Sequence, residues 1–185
     1  MSPDIDRVVA DVAKSLNKAR VPYMIIGGIA NAVWGEPRVT TDIDITVAAP
    51  APYALKLLKA LGAKVARAPE DPVDFAAYGV LPIIHKSGVR VEFAFGMVSY
   101  VHQAMDRVVE INLYGVPVRF CSAEDLVLHK IISERQKDRD DVVGIFRHRR
   151  ATLDRAYLDP RVHELAVVME RPEIEQRYRR LFEEE

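Results

Sequence analysis

The sequence predicts an α+β fold: a mixed, mostly antiparallel sheet with helices packed on it, followed by a helical C-terminal segment. Three observations carry that expectation. Short apolar runs closed by Gly or by hairpin turns recur through the first two thirds of the chain. Two stretches, 42–47 and 89–95, alternate apolar and polar residues as half-buried strands do. From Ser122 onward helical spacing takes over and a single glycine, Gly144, remains. That shift places a soft boundary near residue 121, giving a core domain of residues 1–121 and a helical segment of residues 122–185.

The elements follow in order. Ser2-Pro3-Asp4 reads as an N-cap, a first-turn proline and an acidic first turn. Ile5, Val8, Val9, Val12 and Leu16 recur at helical spacing, so a first amphipathic helix should run to about Lys18. Residues 23–26 form a buried strand that enters a tight turn at Gly27-Gly28, and a short helix over 29–34 stops at Gly35 and Pro37. After the strand carrying Ile43, Ile45 and Val47, Pro50 and Pro52 introduce a helix with Leu55, Leu57, Leu58 and Leu61. Residues 64–67 are a short strand and 68–74 a Pro- and Asp-rich loop. Residues 80–84 and 89–95 flank a Gly88 hairpin, and 108–113 and 116–120 flank a second one at Tyr114-Gly115.

Composition bounds the function. The chain has 185 residues, 49% of them hydrophobic and 29% charged, which excludes a disordered or disulfide-built protein. The longest apolar stretch, 21–33, is too short and too interrupted to span a bilayer, and the acidic N-terminus does not read as a signal peptide. The lone Cys121 ends a strand-like run and reads as a small buried residue in a cytoplasmic protein. A net charge of −1 gives no global field for nucleic acid, so such a partner would need a local patch. The five histidines show no ligand spacing, which argues against zinc. Trp34 is expected in the core.

The chemistry concentrates in Gly27-Gly28 and Asp42-Ile43-Asp44. Carboxylates one residue apart on a strand share a face, roughly 7 Å from one another. Such a pair repels itself unless a cation sits between, and hard oxygen ligands suit Mg²⁺, which takes its remaining ligands from water and substrate phosphates. The glycine pair allows close backbone approach, and the helix it opens offers N–H groups to a phosphate. Glu92, flanked by the inward Val91 and Phe93, presents a third carboxylate that should converge with the other two. It can complete the metal set and accept a hydroxyl proton, or it can pair with Arg90. Arg38 offers its guanidinium to a phosphate or to Glu36.

This arrangement resembles the DNA polymerase β-type nucleotidyltransferase superfamily. More narrowly, Gly27-Gly28, Arg38, Thr41-Asp42-Ile43-Asp44 and Ser122-Ala123-Glu124-Asp125-Leu126 with Lys130 are similar to small bacterial and archaeal nucleotidyltransferases of the abortive-infection and toxin–antitoxin type. Two features depart from the common pattern. Gly28 stands where many members have Ser, so the phosphate contact falls to backbone N–H groups, and Glu92 is one methylene longer than the usual Asp.

The resemblance implies transfer of a nucleoside monophosphate from an NTP to a hydroxyl acceptor, with release of pyrophosphate. Two Mg²⁺ ions, replaceable by Mn²⁺, would be held by Asp42, Asp44 and Glu92, the catalytic set. Gly27, Gly28, Arg38 and Lys130 would hold the triphosphate. Lys130 has a competing reading as a surface ion pair with Glu134. Arg135, Asp138 and Asp141 match the group's pattern, but so charged a run reads as a solvated face. The acceptor stays open among RNA (a tRNA 3′ end, for example), protein and small molecule. The alternative function is a catalytically weak nucleotide-binding or antitoxin-like protein of the same fold, with a partner protein encoded nearby.

Overall fold

The computed structural model describes residues 4–96 and 99–183. Contacts divide the chain into two compact units, one of residues 1–30 and 39–121 and the other of residues 31–38 and 122–185. The second unit thus takes an eight-residue segment from the middle of the first, which local sequence gives no reason to set apart. The division falls inside the helix that follows Gly27.

The first unit is built on a seven-stranded sheet. Its strands are β1 (Tyr23–Ile26), β2 (Asp42–Val47), β3 (Val65–Arg67), β4 (Val80–His85), β5 (Arg90–Phe95), β6 (Val109–Leu113) and β7 (Val116–Phe120), in the order β3-β4-β5-β2-β1-β7-β6. The β2–β5 and β1–β7 pairs are parallel, and the other four are antiparallel. Helix α1 (Ile5–Lys18) buries Val8, Val9, Val12 and Leu16, the stripe its spacing predicts. Its N-cap is Asp4, which accepts from the Arg7 amide; Ser2 and Pro3 lie outside the described residues. Helix α2 (Gly27–Trp34) starts on the glycine pair itself. Helix α3 (Tyr53–Leu61) buries Ala54, Leu57 and Leu61, while Leu55 stays exposed. Cys121 is fully buried.

Two helices were not anticipated. Helix α4 (Pro72–Ala77) begins inside the stretch expected to be loop, with Pro72 in its first turn, where a missing N–H costs nothing. Helix α5 (Ser99–Asp106) follows β5.

The second unit consists of α6 (Ala123–Ile131), α7 (Gln136–Arg149), α8 (Arg155–Val168) and α9 (Glu173–Glu183), together with residues 31–38. Ser122 caps α6, its hydroxyl accepting from the Asp125 amide at 3.0 Å. Leu126, Val127, Ile145, Leu158, Val162 and Ile174 fill its core. Phe146, Tyr178 and Phe182 stack edge-to-face around one point, with centroids 4.9–6.1 Å apart. No helix among the described residues is long and apolar enough to cross a membrane.

Candidate active site

Register, more than any single side chain, builds the site. Ile43 and Ile45 are fully buried and Asp42 and Asp44 are half-buried, so β2 turns its two carboxylates to the opposite face from its isoleucines. On the neighbouring parallel strand Val91 and Phe93 are buried in the same way, and Glu92 lies directly opposite Asp44 while Arg90 lies opposite Asp42. Paired strands are about 4.8 Å apart, so Asp44 and Glu92 are near neighbours on one face.

The glycine pair closes the other side. Ile26, the last residue of β1, is opposite Asp44, so the chain turns off the sheet beside that carboxylate. Gly27 has φ +66°, and a Cβ there would sit 2.0 Å from Oδ2 of Asp44. Glycine is therefore required twice, by the backbone and by the carboxylate packed against it. A Cβ on Gly28 would meet Oγ1 of Thr40 at 2.7 Å. The Thr41 hydroxyl reaches Oδ1 of Asp42 at 3.3 Å. Thr40 and Thr41 sit just ahead of β2 as props for the turn and the first carboxylate.

Glu92 is engaged by Arg90, whose Nε donates to Oε1 at 2.7 Å. Both side chains are substantially exposed, at 52% and 33%, so a small rotation would part them. The donor set, three carboxylates on one face of two paired strands, fits a hard divalent cation in kind. Among the described residues, no group of three or more His, Cys, Asp or Glu side chains stands gathered so as to hold a metal ion. Strand register sets Asp44 and Glu92 side by side, and the Glu92 carboxylate lies on Arg90.

Arg38 and Lys130 have different surroundings from those expected. The Lys130 side chain is 6% exposed, with Nζ 3.0 Å from Oδ1 of Asp138 and 2.7 Å from Oδ2 of Asp141. Its surface pairing with Glu134 is therefore corrected: Glu134 instead pairs with Arg171 at 3.4 Å. Arg38 lays its fork on Asp141, with both N–O distances 2.8 Å, while Glu36 pairs with Arg147. Asn31 completes the cluster, donating to Oδ1 of Asp141 at 3.1 Å and to the Glu36 carbonyl at 2.8 Å.

Asp138 and Asp141 are 2% and 3% exposed, which corrects the solvated-face reading of that run. The sequence did hold a signal: Asp138, Asp141, Val142 and Ile145 fall on one helical stripe whose apolar members are core residues. Burial alone would raise the Asp138 carboxyl, but hydrogen bonds from Ser133, Lys130 and Arg135 outweigh it and hold its pKa at about 2. Asp141 is likewise held below the usual range, because Arg38 and Lys130 outweigh its burial. Trp34 is half-buried, with the Arg149 guanidinium 5.5 Å above its ring, so it is not the core residue expected.

Comparison with known proteins agrees with this fold. Two solved structures share the fold. The first is an antigenic nucleotidyltransferase-like protein from Paracoccidioides brasiliensis, 18% identical, with a TM-score of 0.59 over 96% of this chain and 93% of that one. The second is ANT(2″)-Ia in complex with adenylyl-2″-tobramycin, 15% identical, with a TM-score of 0.59 over 94% of this chain and 98% of that one. No curated protein sequence matches the chain. Residues 4–183 match the family described as "Nucleotidyltransferase of unknown function (DUF6036)". The chain belongs to that nucleotidyltransferase family.

Proposed function

We propose that this chain transfers a nucleoside monophosphate from an NTP to the hydroxyl of a small molecule, at the sheet face that carries Asp42, Asp44 and Glu92. One observation carries the reading: Asp44 is in register with Glu92 on one side and packed against the side-chain-free Gly27 on the other. Carboxylates thus lie beside a turn whose backbone can approach a phosphate closely.

The residues would divide the work as follows. Backbone N–H groups at the start of α2 hold the triphosphate. Asp42, Asp44 and Glu92 would bind Mg²⁺, two ions with Mn²⁺ able to substitute, which would neutralise charge on the phosphates and acidify the attacking hydroxyl. Glu92, released from Arg90, accepts the hydroxyl proton at a carboxylate oxygen. The hydroxyl oxygen bonds to the α-phosphorus as the bond to the β-phosphate oxygen breaks, and pyrophosphate leaves. Lys130 and Arg38 act through Asp141 in this reading. They fix residues 31–38, the second half of the glycine-pair helix and the four residues after it, and the triphosphate does not need their donors.

The acceptor assignment draws on a concavity in the same unit. Arg67, Ile84 and Arg90 form a row across β3, β4 and β5 that continues to Asp42, and Pro82 lies opposite Glu92. These residues, with Pro69, Glu70 and Phe75, line a space of about 560 Å³ that starts where the carboxylate row ends. That volume suits a small amphipathic molecule. A second reading, nucleotide binding with weak catalysis, is favoured by the grip of Arg90 on Glu92.

Incubation with each α-labelled NTP, Mg²⁺ and separated RNA, protein and small-molecule fractions of a lysate tests the proposal. Label should enter the small-molecule fraction and be absent with Asp44→Asn. Label in RNA or protein would overturn the acceptor class, and binding without transfer would favour the second reading.

A further inference from the structure

The helical unit contains a second concavity, of about 240 Å³, with Ile131, Val142 and Leu181 as its apolar side and Arg139, Arg177 and Arg180 as its charged side. The chain has 26 basic and 27 acidic residues, so carboxylate partners are not scarce. These three have none: among the described residues no ion pair is made by Arg139, Arg177 or Arg180, and the nearby Glu134 and Glu173 are both bonded to Arg171.

Arg177 is the most constrained of the three. Its Nη2 donates to the Ile131 carbonyl at 3.2 Å, and its Nε is buried with no acceptor. Burial, and then the positive charges of Arg139 and Arg171, push its pKa below the ordinary value in spite of Glu173 and Glu134. Guanidinium groups gathered over an apolar floor repel one another, and the Arg177 Nε–H lacks an acceptor, a cost that an anion in the concavity would remove.

We propose that this concavity is a binding site for the phosphate group of a small phosphorylated molecule, built wholly from residues outside the carboxylate set. Phosphate fits better than carboxylate on chemical grounds. A phosphomonoester carries up to two charges and three acceptor oxygens, which match several guanidinium forks at once. The apolar side would take the carbon body of the ligand. The volume lies just under the usual range for small-ligand pockets, enough for one phosphate and a short body. A polynucleotide would instead require a track of successive cationic contacts.

Calorimetric titration with inorganic phosphate and with ribose 5-phosphate, in EDTA so that no divalent ion can recruit phosphate elsewhere, tests the site. The full chain should bind both, ribose 5-phosphate more tightly. The doubly substituted chain Arg139→Gln, Arg180→Gln alters only exposed side chains and should bind about tenfold or more weakly. Arg177→Gln should weaken binding as well, with circular dichroism reporting whether the fold survives loss of its bond to Ile131. Asp44→Asn should bind both probes like the parent, which separates this site from the proposed catalytic face. Equal binding by the double variant, or no binding below about 10 mM, would overturn the proposal. So would binding of a single-stranded RNA oligonucleotide when both small probes fail.

Discussion

The two units use charged residues in opposite ways. In the sheet unit Asp42, Asp44 and Glu92 stand half-buried on one face, and Arg90 is the cation that engages Glu92. In the helical unit Asp138 and Asp141 are almost wholly buried, and their oxygens are taken up by Lys130, Arg38, Asn31, Ser133 and Arg135. A buried, saturated cluster fixes structure. Half-exposed carboxylates gathered on one face repel one another, a cost that a bound cation would remove under the proposed function. The carboxylates of the sheet face are therefore read as chemistry and those of the helices as architecture.

This contrast can be broken at several points. Lys130→Ala would leave Asp138 and Asp141 buried without their shared cation, and the expected loss is about 3–5 kcal/mol in denaturant unfolding. A loss under about 1 kcal/mol would put Lys130 on the side of function, as the resemblance first implied.

Acid should find the same cluster. Asp138 has a folded pKa of about 2 against an ordinary 3.8, so its contribution is complete above both values and lost as the pH falls from about 4 towards 2. The magnitude is about 2 kcal/mol. Thermal unfolding followed from pH 6 to 2 should be less steep for Asp138→Asn than for the parent, and parallel curves would contradict the assignment.

Gly27→Ala sharpens the other side of the comparison. A left-handed backbone and a Cβ driven into Asp44 should cost at least about 1 kcal/mol, with a larger proportional loss of nucleotidyl transfer, because Asp44 must move. Arg90→Ala removes an exposed pair and should change stability by less than about 1 kcal/mol. At saturating acceptor it should leave transfer intact or raise it, since Glu92 is released, while the acceptor KM rises because Arg90 lines the concavity; transfer abolished at saturation would contradict this.

Legibility in the sequence followed the range of the interaction. The strands and hairpins of the sheet unit could be read from period-two alternation and turn residues, because each is decided within a few neighbours. The shared face of Asp42 and Asp44 could be read for the same reason, since Ile43 and Ile45 hold it in place. The pairing of β2 with β5, which sets Glu92 opposite Asp44, follows from no local pattern. Asp141 is held by Arg38 and Asn31, about a hundred residues away in sequence. With those partners out of view, a run of charges looks like solvated surface. Helix α4 went unread because the Pro and Asp residues that suggest a loop also start helices.

The most direct test of the carboxylate face is thermal unfolding with and without Mg²⁺ and NTP, on the parent chain and on Asp44→Asn. Ligand that binds only the folded state at a hundred times its Kd adds about 2.7 kcal/mol, which appears as a rise in Tm. The parent should show that rise only when Mg²⁺ and NTP are present together, and Asp44→Asn should lose most of it. An Asp44→Asn chain that responds as fully as the parent would contradict the assignment of this face to metal and nucleotide.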